Sequence, residues 1–211
     1  MSNEVYYPNH ARALKFPWSL YHRPLIESLE KFIKLHAQAG KRVLVIGPGE
    51  LQEYQLLKQM GLRISILDID PRVLSNLQQR HTSEIDKAYL VDEKYSHYPE
   101  PGTFDLIYAK EVIEHMADPQ LFLSKVKDLL VPQGKLWLST PNYGFFLLPL
   151  LESTVLELVA RKSGFSRKNI HPSKLSSSLL SKALKSSGYK ILEQHETMLK
   201  LALVAVAEKE H

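Results

Sequence analysis

Two glycines one residue apart, Gly47 and Gly49, flank Pro48 at the end of the apolar run Arg42-Val43-Leu44-Val45-Ile46. Glycine at the first position can take the positive φ of a tight turn, and glycine at the second lets a ligand approach the backbone. About twenty residues further on, the run Ile64-Ser65-Ile66-Leu67 closes on Asp68, a spacing that suits a carboxylate accepting hydrogen bonds from ribose hydroxyls. Turn and acid together are what a nucleoside-bearing ligand needs at the carboxyl edge of a parallel sheet. The same residues also fit a plain strand-to-helix turn with an acidic helix cap after it, and these two segments alone do not decide.

The elements that must hold them are readable in order. An aromatic and basic opening (Tyr6, Tyr7, Phe16, Trp18, Tyr21, His22, Arg23) runs to Pro24. Proline suits a first helical position, so Pro24 is expected to open a helix through Leu25, Leu29, Phe32, Ile33 and His36, ending near Gly40. Strands are expected over residues 42–46, 64–68, 88–91, 104–109 and 135–140. The helices between them cover about 50–60, 71–80 and 119–130. Asp70-Pro71 and Asp118-Pro119 mark helix starts, each an acidic cap followed by proline at the first turn. Pro132-Gln133-Gly134 reads as a turn. After a helix over 173–187, strands over 190–195 and 199–207 lie too close together for a crossover and must pair antiparallel. Near-continuous apolar strands alternating with helices indicate a doubly wound, mostly parallel sheet.

At 211 residues, with 44% apolar and 24% charged residues, one three-layer domain is the simplest reading. The absence of cysteine excludes disulfides, thiolate metal sites and cysteine nucleophiles. No secretory h-region or membrane-length apolar stretch is seen, which leads to an expectation of a cytoplasmic protein. A net charge of +4 is too modest to imply a nucleic-acid partner. Cations do cluster between Arg161 and Lys190 without an acid, which reads most simply as a solvated face.

Seven segments in sequence then carry a resemblance. They are Gly47-Pro48-Gly49, Asp68, Asp92, Phe104-Asp105-Leu106-Ile107, Glu111-Val112-Ile113-Glu114-His115, Leu129-Leu130-Val131-Pro132-Gln133-Gly134 and Ser139-Thr140-Pro141-Asn142. Over about residues 40–207 the chain resembles the class I S-adenosylmethionine-dependent methyltransferases, in particular the small-molecule branch with the ubiquinone-pathway O-methyltransferases. The resemblance implies a Rossmann-like, seven-stranded, mostly parallel α/β sheet with a C-terminal antiparallel hairpin strand, and S-adenosyl-L-methionine as cofactor. By the same resemblance Gly47, Pro48 and Gly49 pack against its methionine part and Asp68 holds the ribose. Ile69 lies on the adenine, and the backbone of Lys110 meets the aminoacyl end. Asp92 reaches the adenine amino group, with a loop or helix-cap role as its rival, and Glu93 beside it is a further cofactor-binding candidate. His115 and His171 match histidines near the substrate, where a group with a near-neutral pKa suits removal of a proton from an oxygen nucleophile. A structural hydrogen bond is the rival role for each. Neither shows metal-ligand spacing, so no metal is expected.

Two positions depart from the family. Val45 stands where the first strand usually carries an acid, and Leu51 where a third glycine is frequent. Glu50 is the nearest replacement carboxylate for the cofactor's ammonium. Residues 1–24 are expected to form an aromatic cap, with Tyr21 and Arg23 near the ligand, on a domain of residues 25–211. The apolar insert 143–170 reads as a lid, with a dimer face or weak membrane-surface contact as alternatives. Methyl transfer to a small-molecule acceptor, preferably at oxygen, is the resulting expectation. A catalytically silent methyltransferase fold binding a partner is the alternative. A nicotinamide-dependent dehydrogenase is a third reading, weakened by Gln52 at the third glycine position of its fingerprint.

Overall fold

The computed structural model describes residues 16, 19–82, 84–92, 102–145, 171–197 and 199–210. Seven strands form a single sheet: β1 (Arg42–Ile46), β2 (Arg63–Asp68), β3 (Ile85–Leu90), β4 (Phe104–Lys110), β5 (Leu130–Pro141), β6 (Tyr189–Glu196) and β7 (Ala202–Lys209). Their order is β3-β2-β1-β4-β5-β7-β6. The pairs from β3 through β5 are parallel, and β7 runs antiparallel to both β5 and β6. Strand order reverses between β1 and β4, so the crevice above their carboxyl ends is the switch point where ligands of such sheets bind.

Alternating strand side chains build two cores, one on each face. Val43, Val45, Ile64, Ile66, Leu106 and Tyr108 pack with the helices α1 (Ser19–His36), α2 (Tyr54–Gln59) and α3 (Pro71–Arg80). Leu44, Ile46, Leu67, Ile107 and Ala109 pack on the other face with α4 (Pro119–Leu129) and α5 (Ser177–Ser186). In α1 the stripe Leu25, Leu29, Phe32 and Ile33 is buried, and Trp137 Nε1 of β5 donates to Ser28 Oγ at 3.2 Å. Helix α1 is thereby fixed across the sheet, with its first turns beside the crevice.

Several boundaries differ from the sequence reading. Helix α1 starts at Ser19, five residues before Pro24, which lies inside it. A proline this close to the start removes only one early helical hydrogen bond, so the helix continues through it. Helix α2 is shorter than expected, because Leu51 takes φ 49° and the chain turns again before Tyr54. Strand β5 starts at Leu130 and absorbs the Pro132-Gln133-Gly134 turn as an irregularity: Phe104 pairs with Leu130, and Leu106 already with Lys135. Gln133 accepts φ 62° there. Among the described residues no helix is long and apolar enough to cross a membrane. Most of the expected cap, Glu93, and residues 146–170 of the expected lid lie outside the described residues.

Candidate active site

The glycine turn sits at the crevice as expected. Gly47 has φ 64° and Gly49 φ 53°, and the Gly47 N–H donates to the Leu67 carbonyl at 2.9 Å, which ties the turn to β2. A Cβ on Gly47 would lie 2.7 Å from Val112 Cγ2. Val112 is buried and its branched side chain is stiff, so the turn and the loop after β4 interlock only with glycine there. Pro48 is buried and Gly49 partly so. Leu51, 2% exposed, holds a left-handed conformation that costs a non-glycine residue about 1–2 kcal/mol. Strain of this kind persists where packing over-determines it, and it concentrates at ligand sites.

Asp68 ends β2 and is 5% exposed. Its Oδ1 accepts the Asp70 N–H at 2.9 Å, and the Ile69 N–H also lowers its pKa. Desolvation outweighs both and raises the carboxyl to about 6. A buried acid with lone pairs to spare is poised for donors from a ligand. Beside it Ile69 is 40% exposed, an apolar surface at the mouth of the crevice. Asp70 is committed elsewhere, capping α3 through the Arg72 N–H at 2.8 Å. The Val91 N–H donates to the Asp68 carbonyl at 3.1 Å, which brings exposed Asp92 to the same side of the crevice.

The carboxylates near the glycine turn are distributed differently from expectation. Glu50 is exposed and pairs with Arg80 at 2.7 Å. Glu53, read from the sequence only as part of a helix, is 4% exposed and accepts from Lys110 Nζ at 2.6 Å. The side chain of Lys110 therefore reaches the loop after β1.

Across the crevice the ends of β4 and β5 build a polar cluster. Glu111 takes φ 57° and its N–H donates to Ser139 Oγ at 3.2 Å. One of its carboxylate oxygens accepts from Ser139 Oγ at 3.0 Å and the other from the Tyr21 hydroxyl of α1. Burial raises the Glu111 carboxyl, opposed by these two donors and by His171. Burial and Glu111 together push the Tyr21 phenol well above its usual range. Tyr21 thus meets Glu111 at the end of β4, whereas Arg23, also expected near the ligand, pairs with Glu27 at 3.8 Å on the exposed side of α1.

His115 ends a 3₁₀ turn (Ile113–His115) after β4, and His171 arrives from the segment before α5. Their rings meet edge to face with centroids 4.9 Å apart. Tyr143 Oη hydrogen-bonds His171 Nδ1, and the Ser173 N–H donates to the Glu114 carbonyl at 3.1 Å, so backbone and side chain both fix this meeting. Glu114 is 1% exposed. Ligand atoms of Glu114, His115 and His171 all lie within 4.8 Å of one another. No metal was expected from the spacing; the fold assembles a candidate set because His171 crosses back to residues far earlier in the chain. Two imidazoles and a carboxylate fit a divalent d-block ion.

Comparison with known proteins bears on the same residues. A sequence model described as a methyltransferase domain matches residues 18–194. The ubiquinone biosynthesis O-methyltransferase of Xanthomonas euvesicatoria is 32% identical over 107 residues, covering 49% of this chain and 44% of that protein. Its counterpart in Pseudomonas aeruginosa is 29% identical over 143 residues, covering 65% of this chain and 61% of that protein. The chain spans about half the length of the curated relatives it matches. An S-adenosylmethionine dependent methyltransferase from Mesorhizobium loti superposes with a TM-score of 0.66 at 15% identity, covering 86% of this chain and 96% of that one. That last likeness is one of fold.

Proposed function

The chain belongs to the methyltransferase-domain family, matched over residues 18–194, and from that premise we propose that it transfers a methyl group from S-adenosylmethionine to an oxygen of a small-molecule acceptor. The observation that carries this reading is one of placement. At the β1/β4 switch point the glycine turn and buried Asp68 face, across the crevice, the histidine pair with Glu111 and Tyr143. The cofactor, when bound, supplies a methyl already activated on a sulfonium. The protein's own task is then mainly alignment, and proximity with orientation is worth roughly 7–11 kcal/mol at best.

Asp68 takes the ribose hydroxyls on its free lone pairs, Ile69 covers the adenine, and the Gly47–Gly49 backbone lets the methionine part lie close. His115 and His171 stand where an acceptor oxygen would lose its proton. Tyr143 sets the orientation of His171, and Glu111, held by Tyr21 and Ser139, supplies a partly buried acceptor at the end of β4. The choice of oxygen is supported by this proton-accepting cluster and by the name that the two bacterial relatives carry.

A second reading rests on the Glu114–His115–His171 set. A divalent cation held there would lower the pKa of an acceptor hydroxyl, and the histidines would then serve as ligands rather than as bases. Both readings are tested by incubating the protein with labelled S-adenosylmethionine and a panel of hydroxylated acceptors (phenols, catechols and aliphatic alcohols), with and without chelator. Transfer that survives the chelator supports the histidine base. Transfer lost with chelator and restored by Zn²⁺, Fe²⁺ or Mn²⁺ supports the cation, and that ion at about 100 times its dissociation constant should stabilise the fold by about 2.7 kcal/mol. No transfer to any hydroxylated acceptor, with or without metal, would count against the proposed acceptor atom.

A further inference from the structure

The pair formed by Glu53 and Lys110 is not explained by folding alone. The Glu53 side chain is 2% exposed and that of Lys110 22%, with 2.6 Å between Oε1 and Nζ. Withdrawing two charges from water costs several kcal/mol per ion, and a buried pair can often be replaced by apolar residues without loss of stability. The chain nevertheless takes an unusual path to make the pair. Leu51 adopts a left-handed backbone at φ 49°, and the turn that follows delivers Glu53 to the interior immediately before α2.

The place it reaches is specific. Val45 of β1 pairs directly with Tyr108 of β4, and Lys110, two residues on, shares the face of Tyr108 by strand alternation. Tyr108 is 1% exposed, and its hydroxyl has no hydrogen-bond partner among the described residues. Burial and the nearby Glu53 carboxylate both push that phenol well above its ordinary range. Beside the glycine turn there are thus a buried anion, a mostly buried cation paired with it, and an unused hydroxyl. They lie next to the position where a strand acid is replaced by Val45.

We propose that Glu53 and Lys110 together receive the zwitterionic amino-acid end of the cofactor, Glu53 taking the α-ammonium and Lys110 the α-carboxylate. The inference rests on the cofactor reading above. Without ligand the two side chains neutralise each other. When the zwitterion enters, each charge exchanges one opposite partner for another, so neither is left bare in a low-dielectric site. Tyr108 is a spare donor for whichever carboxylate shifts toward it. The arrangement replaces a single strand acid with a two-charge receptor carried by Glu53 on the loop and Lys110 at the end of β4. Glu50, the nearer acid in sequence, is occupied with Arg80.

Calorimetry on the full chain with S-adenosylhomocysteine and with 5′-methylthioadenosine tests this, because the second ligand keeps the nucleoside and thioether and lacks the amino acid. Wild-type protein should bind the first at least roughly tenfold more tightly, the scale of one charge-assisted contact. Glu53→Gln and Lys110→Met should each remove most of that preference while leaving 5′-methylthioadenosine affinity within about twofold, which also reports that the variants fold. Equal loss of both ligands in the variants would make the pair a loop support and overturn the proposal. Equal affinity of wild-type protein for the two ligands would overturn it as well, with the cofactor reading left standing. Binding of neither ligand by wild-type protein would remove the cofactor reading and this inference with it.

Discussion

His171→Ala lowers methyl transfer by about two to four orders of magnitude, the usual contribution of a positioned acid–base group, and leaves S-adenosylhomocysteine affinity within about twofold. The expectation follows from where the ring is held. His171 meets His115 edge to face at 4.9 Å, bonds Tyr143, and lies with them beyond the ends of β4 and β5, apart from Asp68 at the end of β2. Removing it should therefore cost turnover and spare cofactor binding. Glu114→Gln separates the two roles open to the histidine. If His171 is a base, that substitution is mild, since Glu114 then acts only from within the core. If His171 is a ligand, Glu114→Gln falls as far as His171→Ala, and added metal no longer restores either. Parallel loss of binding and rate in His171→Ala would show instead that the ring supports the fold around the cofactor. Steady-state kinetics with calorimetry on the same samples decides between these results.

Asp68→Asn should change stability and binding in opposite directions. The folded carboxyl titrates at about 6 because it is desolvated, whereas an unfolded aspartate titrates near ~3.9. The folded state therefore binds the proton more tightly. Its relative stability from this group is greatest below about pH 4 and is lost as pH rises through about 6. Above that the buried carboxylate is a standing destabilisation on the order of 3 kcal/mol. Asparagine removes the charge and keeps one oxygen for the Asp70 and Ile69 N–H groups, so the ligand-free variant should be more stable at about pH 8 by that order. The same variant should bind S-adenosylhomocysteine more weakly by roughly 1.5–3 kcal/mol, the range for hydrogen bonds to a charged group. Wild-type affinity should fall about tenfold between about pH 7.5 and about pH 5 as the carboxylate is protonated, and the variant should lack that slope. Denaturant titration and calorimetry across pH check all three. A variant that is less stable and binds equally well would make Asp68 a structural cap.

Much of this was legible in the chain. The β-branched runs ending at Ile46 and Asp68, and the Asp70-Pro71 and Asp118-Pro119 caps, carry local signals that packing did not override. Both cap aspartates do accept a backbone N–H of the first helical turn. Boundaries slipped where one residue type serves two roles. Pro24 reads as a helix start and lies inside α1; Pro132-Gln133-Gly134 reads as a turn and is folded into β5. The glycine turn and Asp68 were visible because backbone geometry and a fixed spacing define them. Glu53 was not, because its burial depends on Leu51 leaving the helical region, which leucine rarely does. The Glu114–His115–His171 set was hidden for another reason. Two of its members are neighbours in sequence, and the third returns only after α4, β5 and the insert, so no spacing rule joins them.

The most direct measurement of the central claim is a crystal structure of the full chain with S-adenosylhomocysteine bound. The ribose hydroxyls should lie on the Asp68 carboxylate and the adenine against Ile69. The thioether should lie above Gly47 to Gly49, with its sulfur facing the side of the crevice that holds His115 and His171. A ligand bound away from the β1/β4 switch point, or bound there with Asp68 turned from the ribose, would contradict the account.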